Sequence, residues 1–195
     1  GILAFGINHT TASVDLRGSV AFAPETVIES LRHALEQLPG GEIALLSTCN
    51  RTEIYFHGDA SDEQILSWLA DCKGVALEQL QDCYYCHRDQ QAVRHIMCVA
   101  SGLDSLVLGE PQIFGQIKSA YAVGREAGTV ATHLNQVFQS AFAAAKRVRS
   151  ETAIGQNPVS VAYASVSLAE QIFADLKDVH ALLIGAGETI ELVAR

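Results

Sequence analysis

Apolar and polar positions fall into blocks along the chain, and their period changes near residue 89. Ile2 to Ile7 is an unbroken apolar run that reads as a buried strand, followed by the polar turn Asn8-His9-Thr10-Thr11. Pro24 stands where the first residue of a helix tolerates it, because the N–H it lacks would have no partner there. Val27, Ile28, Leu31, Ala34, Leu35 and Leu38 then recur at helical spacing until Pro39-Gly40-Gly41 stops the run. Two strands, Ile43 to Leu46 and Thr52 to His57, flank the polar loop Ser47-Thr48-Cys49-Asn50-Arg51. Ser61 and Gln64 make a capping box that opens a helix burying Ile65, Leu66, Trp68 and Leu69. A short helix over Leu77 to Leu80 and a strand over Cys83 to His87 complete the order β-α-β-β-α-β, the split βαβ or ferredoxin-like pattern.

Beyond residue 89 the period is helical. Asp89 is placed to cap a helix carrying Ala92, Val93, Ile96, Met97 and Val99 on its apolar face. Pro111 starts a second helix with Ile113, Phe114, Ile117 and Tyr121 inward, ended by Gly128, and Leu134 to Val148 marks a third. Asn157-Pro158 opens one more, from about Val159 to Phe173. Ala181 to Ile184 then reads as a buried strand running into Gly185-Ala186-Gly187-Glu188-Thr189-Ile190, the opening of a dinucleotide-binding turn. No second strand or ribose-binding acid follows, so the chain is expected to be a fragment. The expected fold is α+β. A first domain, 1–150, comprises a ferredoxin-like sheet over 1–88 and a helical part over 89–150. A connecting helix spans 151–177, and 178–195 is the truncated start of a Rossmann-type domain.

The net charge of −9 argues against a surface built to coat nucleic acid. Between Gln112 and Ser150, however, Lys118, Arg125, Lys146, Arg147 and Arg149 face only Glu126, which is either a local phosphate-binding face or a solvated helix. Five cysteines, an odd number scattered through a core-rich chain, fit reduced thiols. No stretch approaches the roughly 20 apolar residues of a membrane span.

Among those thiols Cys49 is surrounded by a hydroxyl, an amide and a guanidinium, from Thr48, Asn50 and Arg51. That set suits a nucleophile acting on something polar or anionic; an inert loop cysteine is the plain alternative. Cys83-Tyr84-Tyr85-Cys86-His87 has the C-x-x-C-H spacing of haem attachment, and with Cys72 could hold zinc, but alternation on a strand would send its side chains to opposite faces. His95 is either a core histidine or an acid–base group. Gly102 to Gln112 mixes glycines, polar and apolar residues without a helical face, as a binding loop or a plain interhelical connection would.

Gly6-Ile7-Asn8-His9, Ser47 to Glu53, Ala100 to Gln112, Ala145 to Arg149 and Gly185 to Ile190 together resemble the glutamyl-tRNA reductase family, in order and over nearly all of the chain. The resemblance implies an oxidoreductase that reduces glutamyl-tRNA to glutamate-1-semialdehyde with NADPH, the first committed step of one tetrapyrrole route. It implies Cys49 as nucleophile and His95 as acid–base group or thiolate partner. Thr48, Asn50, Arg51, Ser105, Glu110, Pro111, Gln112 and Gln116 would form the substrate pocket, with Arg51 for the glutamate side-chain carboxylate and Glu110 for the α-ammonium. Gly185, Ala186, Gly187, Glu188, Thr189 and Ile190 would hold the NADPH phosphates; no metal is implied. The implied setting is a cytoplasmic enzyme, homodimeric at full length, beside the aminomutase that consumes the aldehyde. The chain is expected to form the thioester and not to reduce it. Another thioester-forming NADP-dependent dehydrogenase and a haem- or metal-binding module are the alternatives.

Overall fold

Side chains along β1 (Ile2–Asn8), β2 (Glu42–Ser47) and β3 (Arg51–His57) alternate between the two faces of one sheet, and both faces are covered. Double burial is why their central segments, Leu3–Phe5, Ile43–Leu46 and Ile54–Phe56, read as apolar runs. The computed structural model describes residues 1–155, 161–173, 176, 179–185 and 188–194. With β4 (Tyr85–Arg88) the sheet runs β2-β3-β1-β4, each neighbouring pair antiparallel.

The first face, with Phe5, Ile7, Leu45, Ile54 and Phe56, packs on α2 (Val27–Gln37) and α3 (Asp62–Lys73) through Leu31, Ala34, Ile65 and Leu69. The second face, with Ala4, Ala44, Leu46 and Tyr55, packs on α5 (Asp89–Ala100), α6 (Gln112–Ala127) and α7 (Thr132–Glu151). Ile96, Ile117, Leu134 and Phe138 fill that second layer, with the Tyr55 ring edge-on to Phe138 at 5.7 Å.

Several boundaries differ from expectation for local reasons. A short helix α1 (Val14–Val20) precedes Pro24; its cap is Ser13, whose side chain accepts from the Leu16 N–H, and it buries only Val20. Pro24–Thr26 is a 3-10 turn leading into α2. The Ser61–Gln64 capping box opens α3 as the spacing predicts. After α4 (Leu77–Leu80), the Cys83 N–H turns back to the Leu80 carbonyl, so β4 begins at Tyr85. Asp89 does not cap α5. Arg88 is the extended residue before it, while Asp89 is the first residue of the helix, with a left-handed φ of +48°, and its carboxylate accepts from the Ile2 N–H.

The C-terminal expectation fails at its strand. Ala181 to Ile184 form no strand, and Leu182 and Ile184 are 84% and 83% exposed. A strand exists by pairing, and among the described residues none lies alongside this one. Helix α8 (Val161–Ile172) packs against α9 (Glu188–Ala194). Asn157 and Pro158, and the Ala186 and Gly187 of the expected turn, lie outside the described residues. No described helix is long and apolar enough to cross a membrane.

Candidate active site

The β2–β3 hairpin ends in a loop that fixes its own shape. Ser47 and Thr52 form the last cross-strand pair, and the Thr48 N–H donates to the Arg51 carbonyl at 2.8 Å. The Thr48 hydroxyl accepts from the N–H groups of Asn50 and Arg51, each at 3.2 Å. A side chain thus takes up the loop's backbone donors and keeps its own proton free to donate outward. Cys49 stands exposed at the tip.

A second loop, from Ser101 to Pro111, closes over this hairpin. The Gly109 N–H donates to the Gly102 carbonyl at 2.8 Å, with φ of +78° at Gly102 and +80° at Gly109. Only glycine takes that conformation without strain, and a Cβ on Gly102 would stand 3.1 Å from the Gly109 backbone. Between the loops lies a pocket of about 260 Å³. The hairpin contributes Thr48, Cys49, Asn50 and Arg51; the second loop contributes Ser105, Leu106 and Glu110; α6 contributes Gln112, Ile113 and Gln116. Pro111 does not line it and instead precedes α6.

Beneath the pocket the sheet carries a buried charge network. Arg51, Glu53 and Tyr55 are alternate residues of β3 and point to the same face. The Glu53 carboxylate, 0% exposed, accepts from Arg51 Nη1 at 2.5 Å, Tyr55 Oη at 2.6 Å, His95 Nε2 at 3.0 Å and the Tyr85 hydroxyl. Burial alone would raise the Glu53 pKa. The hydrogen bond and charge of His95, with Arg51 and Tyr55, reverse this and hold it down at about 2. Tyr55 and Tyr85 are held protonated, first by burial and then by the Glu53 charge.

Arg51 continues the network outward. Its Nη2 donates to the Asp104 carbonyl at 2.5 Å and lies 3.0 Å from the Asp104 carboxylate. Both terminal nitrogens are therefore engaged, and a ligand carboxylate would meet Arg51 in competition with Asp104. Burial raises the Glu110 pKa above the ordinary carboxylate value, with Arg51 opposing. His95 does not line the Cys49 pocket; it borders a separate cavity of about 450 Å³ with His87, Arg94, Cys98 and Asp104.

Two groups have metal-compatible spacing, Glu53–His95–Asp104 and Glu42–His57–His133. In the first, the Arg51 guanidinium already supplies the cation to both carboxylates. In the second, Glu42 is taken up by N–H groups of Ala131, His133 and Leu134. The C-x-x-C-H residues diverge: Cys86 packs against the first core, while the His87 ring lies against His95 on the other face. Burial pushes the Cys86 thiol up to about 12, with Asp62 adding to it, which suits an inert thiol. In the expected cofactor turn, Gly185 has φ of +142° and a Cβ there would lie 3.2 Å from Ile190. Among the described residues that turn has no paired strand before it, and its Ala186 and Gly187 lie outside them.

Residues 5–152 match the family described as glutamyl-tRNAGlu reductase, N-terminal domain. The chain belongs to this family. Glutamyl-tRNA reductase of Ectopseudomonas mendocina is 60% identical over 194 residues, covering 99% of this chain and 46% of the relative. That of Saccharophagus degradans is 59% identical over 194 residues, covering 100% and 46%. The solved glutamyl-tRNA reductase from Methanopyrus kandleri superposes with a TM-score of 0.69 at 34% identity, covering 99% of this chain and 45% of that one. The chain thus spans less than half the length of these relatives.

Within this glutamyl-tRNA reductase N-terminal domain, the sequence reading missed the residues beneath the pocket: Glu53, Tyr55, Tyr85 and Asp104. A signal was present. Arg51, Glu53 and Tyr55 alternate from the loop into the strand expected from Thr52, which puts three polar groups on one face, and buried polar groups come with partners.

Proposed function

We propose that this chain is the substrate-binding, thioester-forming part of a glutamyl-tRNA reductase. The observation that carries the proposal is the exposed Cys49 at the mouth of a pocket lined by Thr48, Asn50, Arg51, Ser105, Glu110, Gln112 and Gln116. The Cys49 thiolate attacks the carbonyl carbon of the ester joining glutamate to the terminal ribose. A C–S bond forms, the C–O bond to ribose breaks, and the ribose oxygen leaves as an alkoxide that takes a proton from solvent. The product is a glutamyl thioester, whose carbonyl has less resonance stabilisation than an oxygen ester and accepts hydride more readily. Thr48 and Asn50 offer donors to the substrate's polar atoms. Arg51 supplies the positive charge for its side-chain carboxylate, in exchange with Asp104. Glu110 faces the α-ammonium. His95 is the acid–base candidate, coupled to the pocket through Glu53 and Arg51.

NADPH is the reductant the resemblance implies, and it supplies the hydride in the whole enzyme. The chemistry proposed for this chain ends at the thioester. The strand order β2-β3-β1-β4 supports reading the sheet as ferredoxin-like. For the whole enzyme the resemblance implies a cytoplasmic homodimer working beside the aminomutase.

The test is intact-mass analysis after mixing with glutamyl-tRNA. The expected result is one hydroxylamine-labile glutamyl adduct, absent from Cys49→Ser, and no semialdehyde. The same adduct on Cys49→Ser overturns the assignment.

A further inference from the structure

The loop that carries Ser105 and Glu110 over the pocket is held at both ends. At its start the Gly102 and Leu103 N–H groups donate to the Val99 and Cys98 carbonyls, each at 3.0 Å, which ties it to the last turn of α5. At its end the buried Gly109 bonds back to Gly102, and Glu110 follows at once. Gly109 is also met from outside the loop. Arg149, in the last turn of α7, donates from Nη1 to the Gly109 carbonyl at 3.4 Å. Ile154 lies in the 3-10 turn Ala153–Gly155 that follows α7, and a Cβ on Gly109 would stand 2.7 Å from its Cγ1. That turn is folded tightly back on the helix, since a Cβ on Gly155 would collide with the Arg149 carbonyl oxygen. Of the basic residues at this end of α7, Lys146 and Arg147 are exposed, and Arg147 pairs with Glu151. Arg149 is half-buried and turned to the loop.

We propose that Arg149 and Ile154 are positioning residues: from the end of α7 they brace Gly109, and so hold the Glu110 carboxylate where it selects a substrate with an α-ammonium. The proposal rests on the thioester reading and deepens it. Glu110 is not fixed by contacts of its own side chain, whose carboxylate accepts no hydrogen bond from any described residue. Its N–H donates to the Val107 carbonyl at 3.1 Å, a bond within the same loop that moves when the loop moves. The brace therefore sets where this end of the loop stands against the rest of the domain. Gly109 and Glu110 share a peptide bond, so a shift at Gly109 carries the carboxylate with it. A displacement of about 1 Å in a positioned group can cost about a hundredfold in rate. Neither Arg149 nor Ile154 lines the pocket, so both act only through the loop.

The experiment compares acylation of Cys49 by tRNA carrying glutamate and by the same tRNA carrying glutaric acid, which lacks the α-ammonium. The second-order rate constants are read by intact mass over time. Their ratio cancels any contact to the tRNA backbone, one from Arg149 included, and any general loss of folded protein. Glu110→Gln should lower the wild-type ratio by about tenfold, the scale of a hydrogen bond to a charged group. Arg149→Ala and Ile154→Ala should each lower it by about threefold to tenfold, although neither side chain meets the substrate. Ile154→Val keeps a Cγ against Gly109 and should hold the ratio within about twofold of wild type. An unchanged ratio in Arg149→Ala or Ile154→Ala, with that of Glu110→Gln lowered, overturns the brace while leaving the thioester reading in place. A wild-type ratio in Glu110→Gln overturns the role given to Glu110 and the brace with it. No Cys49 adduct from glutamyl-tRNA on the wild type overturns the thioester reading itself.

Discussion

Glu42 and Glu53 are carboxylates buried on the same face of the same sheet, one towards each end of the β2–β3 hairpin, and they are neutralised differently. Glu42 accepts from three backbone N–H groups at the start of α7, those of Ala131, His133 and Leu134 at 2.8–2.9 Å, and from the His133 ring. Since α7 has no side-chain cap of its own, Glu42 caps it from a neighbouring strand. Glu53 accepts from four side chains, and two of them, Arg51 and His95, border cavities. The first carboxylate is a joint that holds a helix to the sheet. The second is a hub whose state is felt at the pocket.

That contrast can be broken by experiment. Glu53→Gln removes the counter-charge of a buried arginine and should cost about 3–5 kcal/mol of stability in urea unfolding. It should also slow Cys49 acylation, because Arg51 and His95 lose their common anchor; an acylation rate equal to wild type would reduce Glu53 to a second joint. Acid titration comes next. The Glu53 pKa is depressed from an ordinary 4.5 to about 2, so its contribution is complete above pH 4.5 and is lost as pH falls towards 2. Unfolding monitored across that window should be steeper in the wild type than in Glu53→Gln. Glu42 is also depressed, its burial outweighed by the α7 N–H groups. The smallest effect is expected for Glu42→Gln, about 1–2 kcal/mol, since an amide oxygen still accepts from the helix. Its acylation rate should stay within about twofold of wild type, and a larger drop would erase the distinction between the two carboxylates.

Much of this molecule could be read from local chemistry. The capping box at Ser61, the stop at Gly128 and the apolar runs of the first three strands depend on neighbours in sequence, and each appears where the spacing put it. The pocket was legible in the same way, because Thr48 to Arg51 form one loop and Ser105 to Gln116 one more loop with its following helix turn. What escaped depends on partners far along the chain. Asp89 lost its capping role to a bond with Ile2, and Ala181 to Ile184, apolar enough for a strand, have no neighbour to pair with among the described residues. The resemblance implies Arg51 as a substrate contact and His95 as an acid–base group or thiolate partner, whereas each is first a partner of Glu53, a link that only the folded sheet creates. α1 escaped for the opposite reason: with one buried residue it shows no apolar period.

Gly6 is paired with Glu53 on one side and Tyr85 on the other. The Tyr85 phenol crosses over it to reach Glu53, and a Cβ at that point would collide with the ring, 2.5 Å from its Cζ. A single hydrogen atom in place of a side chain is thus a passage between the sheet's edge strand and its charged centre. Adding one methyl there would disconnect the two without altering any group that meets the substrate. The result would be a charged centre cut off from its edge strand by a change in the middle of another.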